Sequence, residues 1–347
     1  TIREKEPDTE TQPFARQEVR TSRSEARAAD LSHMESLVEQ MLRNPRRRPE
    51  AGQLEGVSRE VVEKVAKSLG YPVYGWIEGQ LEIHDAFLPI LEKRLLWLLE
   101  RHESSRPTYV FIGRDAEIAY DALKTMAGDS ELAGRIKLIN ISRRILDNFS
   151  LSRPVRDYLV SEGISKKSLE KGQIILIDSG FQGSIFDYIA NVMEVFVQQI
   201  HRYGYLFSKT GGPFQLLGGE GSSTDEEEYK RLVRSFYVAI GELMRPQSRN
   251  VELACHMQLS PKYTDAVDIM APDPDRPDRL MPQVEFPGYS PGKTVDPRDT
   301  GWVNKSIVDP VGAMLHQIMT YEYFSREDVR KRVAKILRSE TRAEIRA

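Results

Sequence analysis

The segment from Gly172 to Ile185, GQIILIDSGFQGSI, constrains the fold more than any other part of the sequence. Its four consecutive aliphatic residues are typical of a buried strand, which we predict to end at Asp178. Small and polar residues follow, and an apolar helical pattern then predicts a helix over Ser184–Met193. In α/β proteins a junction of this kind presents backbone N–H groups and a helix N-terminus to an anion. The segment therefore predicts an anion site.

Three further apolar segments indicate more strands of the same sheet. The predicted strands are Thr108–Ile112, Ile136–Ile141 and Ile200–Phe207, and the predicted helices are Ser58–Leu69, Ile83–His102, Glu117–Met126, Glu226–Leu243 and an insertion within residues 147–171. Strands that alternate with helices are typical of an α/β protein with a parallel sheet and flanking helices. Ligands bind at the carboxyl ends of such strands, so we expect the polar loops at residues 113–115, 142–144 and 178–184 to converge.

Changes in composition divide the chain into four segments. Residues 1–55 are polar and are predicted to be a partly disordered or loosely docked arm, with a short helix near Leu31–Leu42. Residues 56–250 hold the predicted α/β core. Residues 251–308 are rich in proline and glycine and are predicted to be an irregular excursion, and residues 309–347 are predicted to be helical. The expected fold class is therefore α/β with helical N- and C-terminal additions.

Composition and charge exclude several classes of protein. A net charge of -3 over 347 residues gives no global attraction to nucleic acid or to anionic membranes. The single cysteine, Cys255, cannot form an intrachain disulfide, which favours a reducing, cytoplasmic location, and no apolar run is long enough to span a membrane. The sequence contains no G-x-S-x-G, Walker A or G-x-G-x-x-G motif, and its histidines lack metal-site spacing. Because the chain begins at Thr1, we expect it to be processed or part of a longer one.

Charged residues at the ends of the predicted strands are the first candidates for chemistry. Asp178 could bind Mg²⁺ or the hydroxyls of a sugar phosphate, or it could cap its own turn. Arg114 could bind phosphate and Asp115 could hold a metal or act as a base; alternatively, the two could simply pair and close the loop. Arg143 and Arg144 could contact phosphate at the next strand end, or they could form a solvated surface pair.

The loop after the third strand supplies the remaining candidates, which we predict to bind phosphate. These residues are Ser179, Gly180, Phe181, Gln182, Gly183 and Ser184. The two glycines and the second serine would form a nest of backbone N–H groups, with the Gln182 side chain as a further donor. The alternative is a tight turn in which Ser184 caps the following helix.

These segments resemble a known family. Ile174–Ser184 resembles the phosphoribosyl-pyrophosphate loop of type I phosphoribosyltransferases, and Gly113–Ala116 stands where that family has its pyrophosphate-binding loop. Together, FIGRDAE, NISRR and LIDSGFQGS are similar to a phosphoribosyltransferase-like module that accompanies HAD-type hydrolase domains in bacterial surface-polymer loci. The resemblance spans about residues 80–245. Members of the family usually carry two adjacent acids where this chain has Asp178 and Ser179.

The resemblance implies a phosphoribosyltransferase-like core and a Mg²⁺-dependent enzyme that acts on a phosphorylated sugar or nucleotide, such as phosphoribosyl pyrophosphate. Glycosyl transfer is the reaction it implies. Asp178 would hold sugar hydroxyls and, with Asp115, the metal, while the loop after Asp178 would hold the 5-phosphate and residues 113–115 the pyrophosphate. Two alternatives remain: a phosphate-ester hydrolase with Asp115 or Asp178 as nucleophile or metal ligand, and a non-catalytic binding or scaffold module, which Ser179 would suit.

Overall fold

The computed structural model of the chain describes residues 30–43, 49–71, 77–113, 116–141, 145–146, 148–181, 183–208, 215–218, 227–228, 231–232, 265–272, 276–285 and 310–344. The helices are α1 (residues 30–43), α2 (Arg59–Ser68), α3 (Ile77–His102), α4 (Glu117–Ala127), α5 (Ser152–Ser161), α6 (Lys166–Glu170), α7 (Ser184–Met193), α8 (Pro310–Phe324) and α9 (Glu327–Glu344). The strands are β1 (Thr108–Ile112), β2 (Ile136–Ile139), β3 (Ile174–Phe181), β4 (His201–Ser208), β5 (Gln215–Leu216), β6 (Asp265–Pro272) and β7 (Leu280–Glu285).

The centre of the fold is a parallel sheet with the strand order β2-β1-β3-β4-β5. β1 lies between β2 and β3, and its Tyr109 pairs with Ile136 on one side and with Ile175 on the other. Residues 109–112 and 174–177 are buried on both faces of the sheet. Strands covered on both faces can be apolar throughout, which explains why β1 and β3 are continuous apolar runs in the sequence.

Helices cover the two faces of the sheet separately. Tyr109, Phe111 and Ile177 point into one core cluster, which also contains buried apolar residues of α3, α4 and α9. Val110 and Leu176 point into a second cluster, which contains the buried residues of α5, α6 and α7. The alternation along each strand follows from the period of two in an extended backbone. The fold is therefore α/β, with helices on both sides of a parallel sheet.

A third apolar cluster joins the two ends of the described chain. It contains Val38 and Leu42 of α1, Val62 of α2, and Met314 and Leu315 of α8, all of them buried. Val38 and Leu42 lie on the helix predicted near Leu31–Leu42 and contribute to this core, while residues 1–29 and 44–48 of the predicted arm lie outside the described residues. The sequence of α1 does not reveal its partner, since α8 follows roughly 270 residues later in the chain.

Most predicted elements are present with small shifts at their ends. β1 and α7 match the prediction residue for residue, β2 ends two residues earlier, and α3 begins at Ile77 rather than Ile83. α2 ends before Gly70, which has a φ of +75° and so lies in the left-handed region that favours glycine. Of the helix predicted over Glu226–Leu243, residues 227–228 and 231–232 are described and helical, and the rest lies outside the described residues.

The segment predicted to be irregular contains a β-hairpin. β6 and β7 pair in an antiparallel arrangement, with a register irregularity between Ala266 and Met270. Arg279, just before β7, forms an ion pair with Glu162 and places its guanidinium 5.1 Å from the centre of the Tyr158 ring, so the hairpin docks on the end of α5. The sequence analysis did not predict this hairpin because both strands contain a proline, which is unfavourable in a strand.

None of the described helices combines the length and the apolar composition that crossing a membrane requires.

Candidate functional site

The direction of the strand order reverses between β1 and β3. After β1 the chain passes through α4 on one face of the sheet to reach β2, whereas after β3 it passes through α7 on the opposite face to reach β4. The two helices therefore diverge at the carboxyl ends of β1 and β3. In open α/β sheets this point forms a crevice, and ligands bind there. It is the place where the sequence predicts an anion site.

Gly113 directly follows β1 and lies in close contact with the end of β2. Its N–H donates to the carbonyl oxygen of Ile139 at 2.6 Å. A Cβ atom at this position would lie 2.2 Å from Oδ1 of Asn140 and 2.8 Å from the Ile139 carbonyl oxygen, closer than real Cβ contacts. Packing between the two strand ends therefore accounts for this glycine, and it also brings the exits of β1 and β2 together.

Asn140 directly follows β2 at the same edge. Its backbone N–H donates to the hydroxyl of Tyr158 at 3.3 Å. Its side-chain Oδ1 is buried and has no hydrogen-bond partner among the described residues. A buried carbonyl oxygen without a donor costs about 1–3 kcal/mol, so such atoms in a native fold call for an explanation. The sequence analysis did not single out Asn140, although a polar residue directly after a strand was a usable signal.

β3 runs three residues beyond the predicted end at Asp178. Gly180 pairs with Phe207 and Phe181 with Ser208, so these residues extend the sheet instead of forming the predicted loop. The pairing slips between Asp178 and Gly180, which marks a bulge. Asp178 itself is half-buried, pairs with Gly204, and lies at the point where the irregularity begins. Bulges are frequent beside active sites, because they redirect the side chains next to them.

The junction between β3 and α7 is correspondingly short. Gly183 occupies the N-cap position of α7 with a φ of +67°, and it offers no side-chain hydrogen bond to the first turn. Ser184 is the first helical residue, so the alternative in which it caps the helix is wrong. The left-handed backbone explains the glycine without a ligand. The N-terminus of α7 nonetheless faces the crevice edge, where the helix dipole favours a negative charge.

Glu117 is a further acid at this edge. It lies in the first turn of α4, four residues after Gly113, and only 6% of its surface is exposed. A carboxylate in the first helical turn is favoured by the helix dipole. The sequence analysis included Glu117 in the motif FIGRDAE but assigned it no role, because nothing local shows that an acid at the start of a helix will be buried.

The other predicted site residues belong to these strand ends and to the loops that extend from them. Arg114, Asp115, Arg143, Arg144 and Gln182 lie outside the described residues, and so do the side chains of Ser179 and Phe181. The strand ends from which these loops extend belong to the three neighbouring strands β2, β1 and β3. The expected convergence of the strand ends is therefore present in the backbone, while the convergence of the side chains stays a prediction.

The carboxylates of this edge do not form a ready-made metal cage in the part of the chain that is described. Within those residues, no three histidine, cysteine, aspartate or glutamate side chains lie close enough together to hold a metal ion. Asp178 and Glu117 are the described acids at the ends of β3 and β1. One or two carboxylates suit a Mg²⁺ ion that arrives with the phosphates of a substrate, since such ions keep several waters and use few protein ligands.

In comparisons with known proteins, no protein-family model, no curated protein and no solved structure matches this chain.

Proposed function

We propose that this chain binds a phosphorylated sugar or nucleotide, such as phosphoribosyl pyrophosphate, at the carboxyl edge of its sheet. We further propose that its core is phosphoribosyltransferase-like and that it catalyses glycosyl transfer to or from pyrophosphate or phosphate. One observation carries the proposal: Asp178 near the end of β3 and Ser184 at the start of α7 lie at the reversal of the strand order. That position is where open α/β sheets bind their ligands.

Each part of this edge has a role in the proposal. The Asp178 carboxylate accepts hydrogen bonds from the sugar hydroxyls, and the first turn of α7 at Ser184 donates backbone N–H groups to the 5-phosphate. Residues 113–115 receive the pyrophosphate. Arg143 or Arg144 neutralises the charge that grows on the departing group. If the acceptor must lose a proton during the reaction, a carboxylate at this edge takes up that proton.

The proposal includes Mg²⁺ bound by Asp178 and Asp115 together with the phosphate oxygens of the substrate. When bound, the ion would neutralise phosphate charge and fix the geometry of the pyrophosphate. The described part of the site fits this arrangement, because Asp178 is a half-buried carboxylate at the strand end rather than a residue enclosed in the core.

A non-catalytic phosphate-binding module is the second candidate. One observation favours it: Ser179 stands where the resembled family usually has a second acid, and a site without that acid can bind a phosphate without converting the ligand. Binding without any conversion of the ligand would identify this function.

The charge of Asp178 provides the test. Asp178→Asn keeps the size of the side chain but removes the charge, so the affinity for phosphoribosyl pyrophosphate with Mg²⁺ should fall by about tenfold or more, as expected for one charged contact. Isothermal titration calorimetry measures this. Asp129→Asn is the matched control, because Asp129 is exposed and follows α4 at the opposite edge of the sheet.

Two results would contradict the proposal. The first is an Asp178→Asn variant that binds as tightly as the wild type but melts at a lower temperature. The Asp178 carboxylate would then stabilise the end of β3 without contributing to ligand binding. The second is a product analysis in which the protein, incubated with a phosphate ester, releases only free phosphate. That result identifies a hydrolase, whereas a transferase forms a new glycosidic bond.

A further inference from the structure

Arg94 is a charged residue in the middle of α3 and is only 4% exposed. A buried guanidinium loses its hydration but keeps its charge, so acceptor groups of the protein must replace the water. Here Nη1 of Arg94 donates to the backbone carbonyl oxygen of Tyr205 at 2.6 Å. This acceptor lies on β4 of the central sheet.

Tyr205 belongs to the irregular part of the sheet. β3 advances by two residues from Asp178 to Gly180, whereas β4 advances by three from Gly204 to Phe207. Tyr205 therefore lies in the bulged part of β4, opposite Ser179. On its other side, β4 pairs with β5 no further than Gly204, whose carbonyl oxygen accepts the N–H of Leu217 at 2.9 Å.

The turn after β5 closes over the same arginine. A Cβ atom at Gly218 would lie 3.3 Å from Cγ of Arg94, and Gly218 has a φ of +94°. The stem of Arg94 is thus enclosed by this turn while its guanidinium bonds to the bulge. Both contacts fix the carboxyl ends of β4 and β5 relative to α3.

We infer that Arg94 is a positioning residue for the candidate site. By bonding to the Tyr205 carbonyl it holds the bulge in β4, and the bulge sets the direction in which β3 continues from Asp178 towards Gly183. Arg94 thereby acts on the ligand through the strand end and not by contact. The inference rests on the proposed function, because it requires a ligand at Asp178.

Arg94→Lys and Arg94→Met test this role, with affinity for phosphoribosyl pyrophosphate and Mg²⁺ as the measurement. Lysine keeps the positive charge but cannot reproduce the guanidinium geometry, so both variants should bind about tenfold more weakly. Arg135→Lys is the matched control. Arg135 is another largely buried arginine that donates to a backbone carbonyl, that of Pro107 at 2.8 Å, but it lies at the amino edge of the sheet.

Each variant is also combined with Asp178→Asn. If Arg94 acts through the end of β3, its replacement should have less than half its effect, in logarithmic units, in the Asp178→Asn background. Additive effects, or an Arg94→Lys variant that binds like the wild type, would overturn the inference; the latter would leave only a through-space role for the charge. If Arg94→Met does not fold, the affinity of Arg94→Lys alone tests the positioning role.

The same experiment separates the two proposals. If Asp178→Asn leaves the affinity unchanged, the proposed function fails. If Asp178→Asn weakens binding and Arg94→Lys does not, the function stands and the positioning role is wrong.

Discussion

Gly113 and Gly183 show that a glycine at a candidate site can be required by the backbone conformation or by packing, independently of any ligand. Both were expected near a phosphate, since glycine allows close approach of a ligand. In the structure, Gly113 is required by the side chain and backbone at the end of β2, and Gly183 by its left-handed φ. A glycine after a strand therefore carries less functional information than an acid or an asparagine there, because those residues have no such backbone reason to be present.

Gly113→Ala should destabilise the fold through a steric conflict between β1 and β2. The new methyl group would lie 2.2 Å from Asn140 Oδ1 and 2.8 Å from a backbone oxygen that cannot move freely. Overpacking of this kind costs about 1–3 kcal/mol. Urea-induced unfolding measures the loss, with Gly134→Ala as the control, because a Cβ at Gly134 has no neighbour within 4 Å. Equal stability of the two variants would show that the strand ends are further apart than described.

At the scale of elements, the predictable features are those with a local cause. β1 and α7 were predicted residue for residue because a doubly covered strand is an unbroken apolar run and an amphipathic helix has a clear period. The extension of β3 was missed because Ser179 and Gly180 have loop-like composition, and their pairing partner β4 comes later in the chain. Asn140 was not named as a candidate although its position directly after β2 was a usable signal, whereas the burial of Glu117 depends on neighbours that are distant in the chain.

The contact between α3 and α8 contains a pair of buried histidines. Nδ1 of His316 donates to the Gly312 carbonyl oxygen at 2.7 Å, so it carries the proton of that ring. The Thr320 hydroxyl donates to the carbonyl oxygen of His316, and it therefore accepts from Nε2 of His84 at 2.9 Å. The other two ring nitrogens are buried without a hydrogen-bond partner among the described residues. A proton added to either ring would be a buried charge.

The protein should lose stability as the pH falls from about 6.5 to about 4. Burial lowers the pKa of His84 and lowers that of His316 to about 4, whereas both rings take up a proton near pH 6.5 in the unfolded chain. The unfolded state therefore binds more protons throughout this range, and acid favours unfolding.

Chemical denaturation at pH 7 and pH 5 measures this effect. His316→Gln should lose less stability between the two pH values than the wild type, by on the order of 2 kcal/mol. His33→Gln is the control, because His33 lies on α1 with its side chain exposed. A wild-type profile that matches that of His316→Gln would contradict the burial of the pair.

At the scale of the whole molecule, α8 connects segments that the sequence analysis treated as separate. Nε2 of Gln317 donates to the Pro49 carbonyl oxygen at 2.9 Å and to Oδ2 of Asp121 in α4 at 3.1 Å. The same helix contributes to the apolar cluster with α1 and α2. The N-terminal helices, the α/β core and the C-terminal helices are therefore packed against one another through α8.

Met314→Ala should show that α8 is part of the core and not an addition to it. Met314 is completely buried in the cluster with α1 and α2, so its truncation should cost about 2–5 kcal/mol. Met319 on the same helix is partly exposed, and Met319→Ala should cost clearly less. Urea-induced unfolding followed by circular dichroism measures both. Equal and small losses would mean that α8 contributes little to the stability of the fold.

The position of α8 also affects how the chain folds while it is being made. Gln317 and its acceptor at Pro49 are 268 residues apart, so a ribosome adding about 5–20 residues per second needs on the order of tens of seconds to produce the second after the first. During that interval the apolar faces of α1 and α2 have been synthesised but α8 has not. Nascent chains halted before residue 310 should therefore expose these faces, and chaperones that recognise apolar segments would find them there.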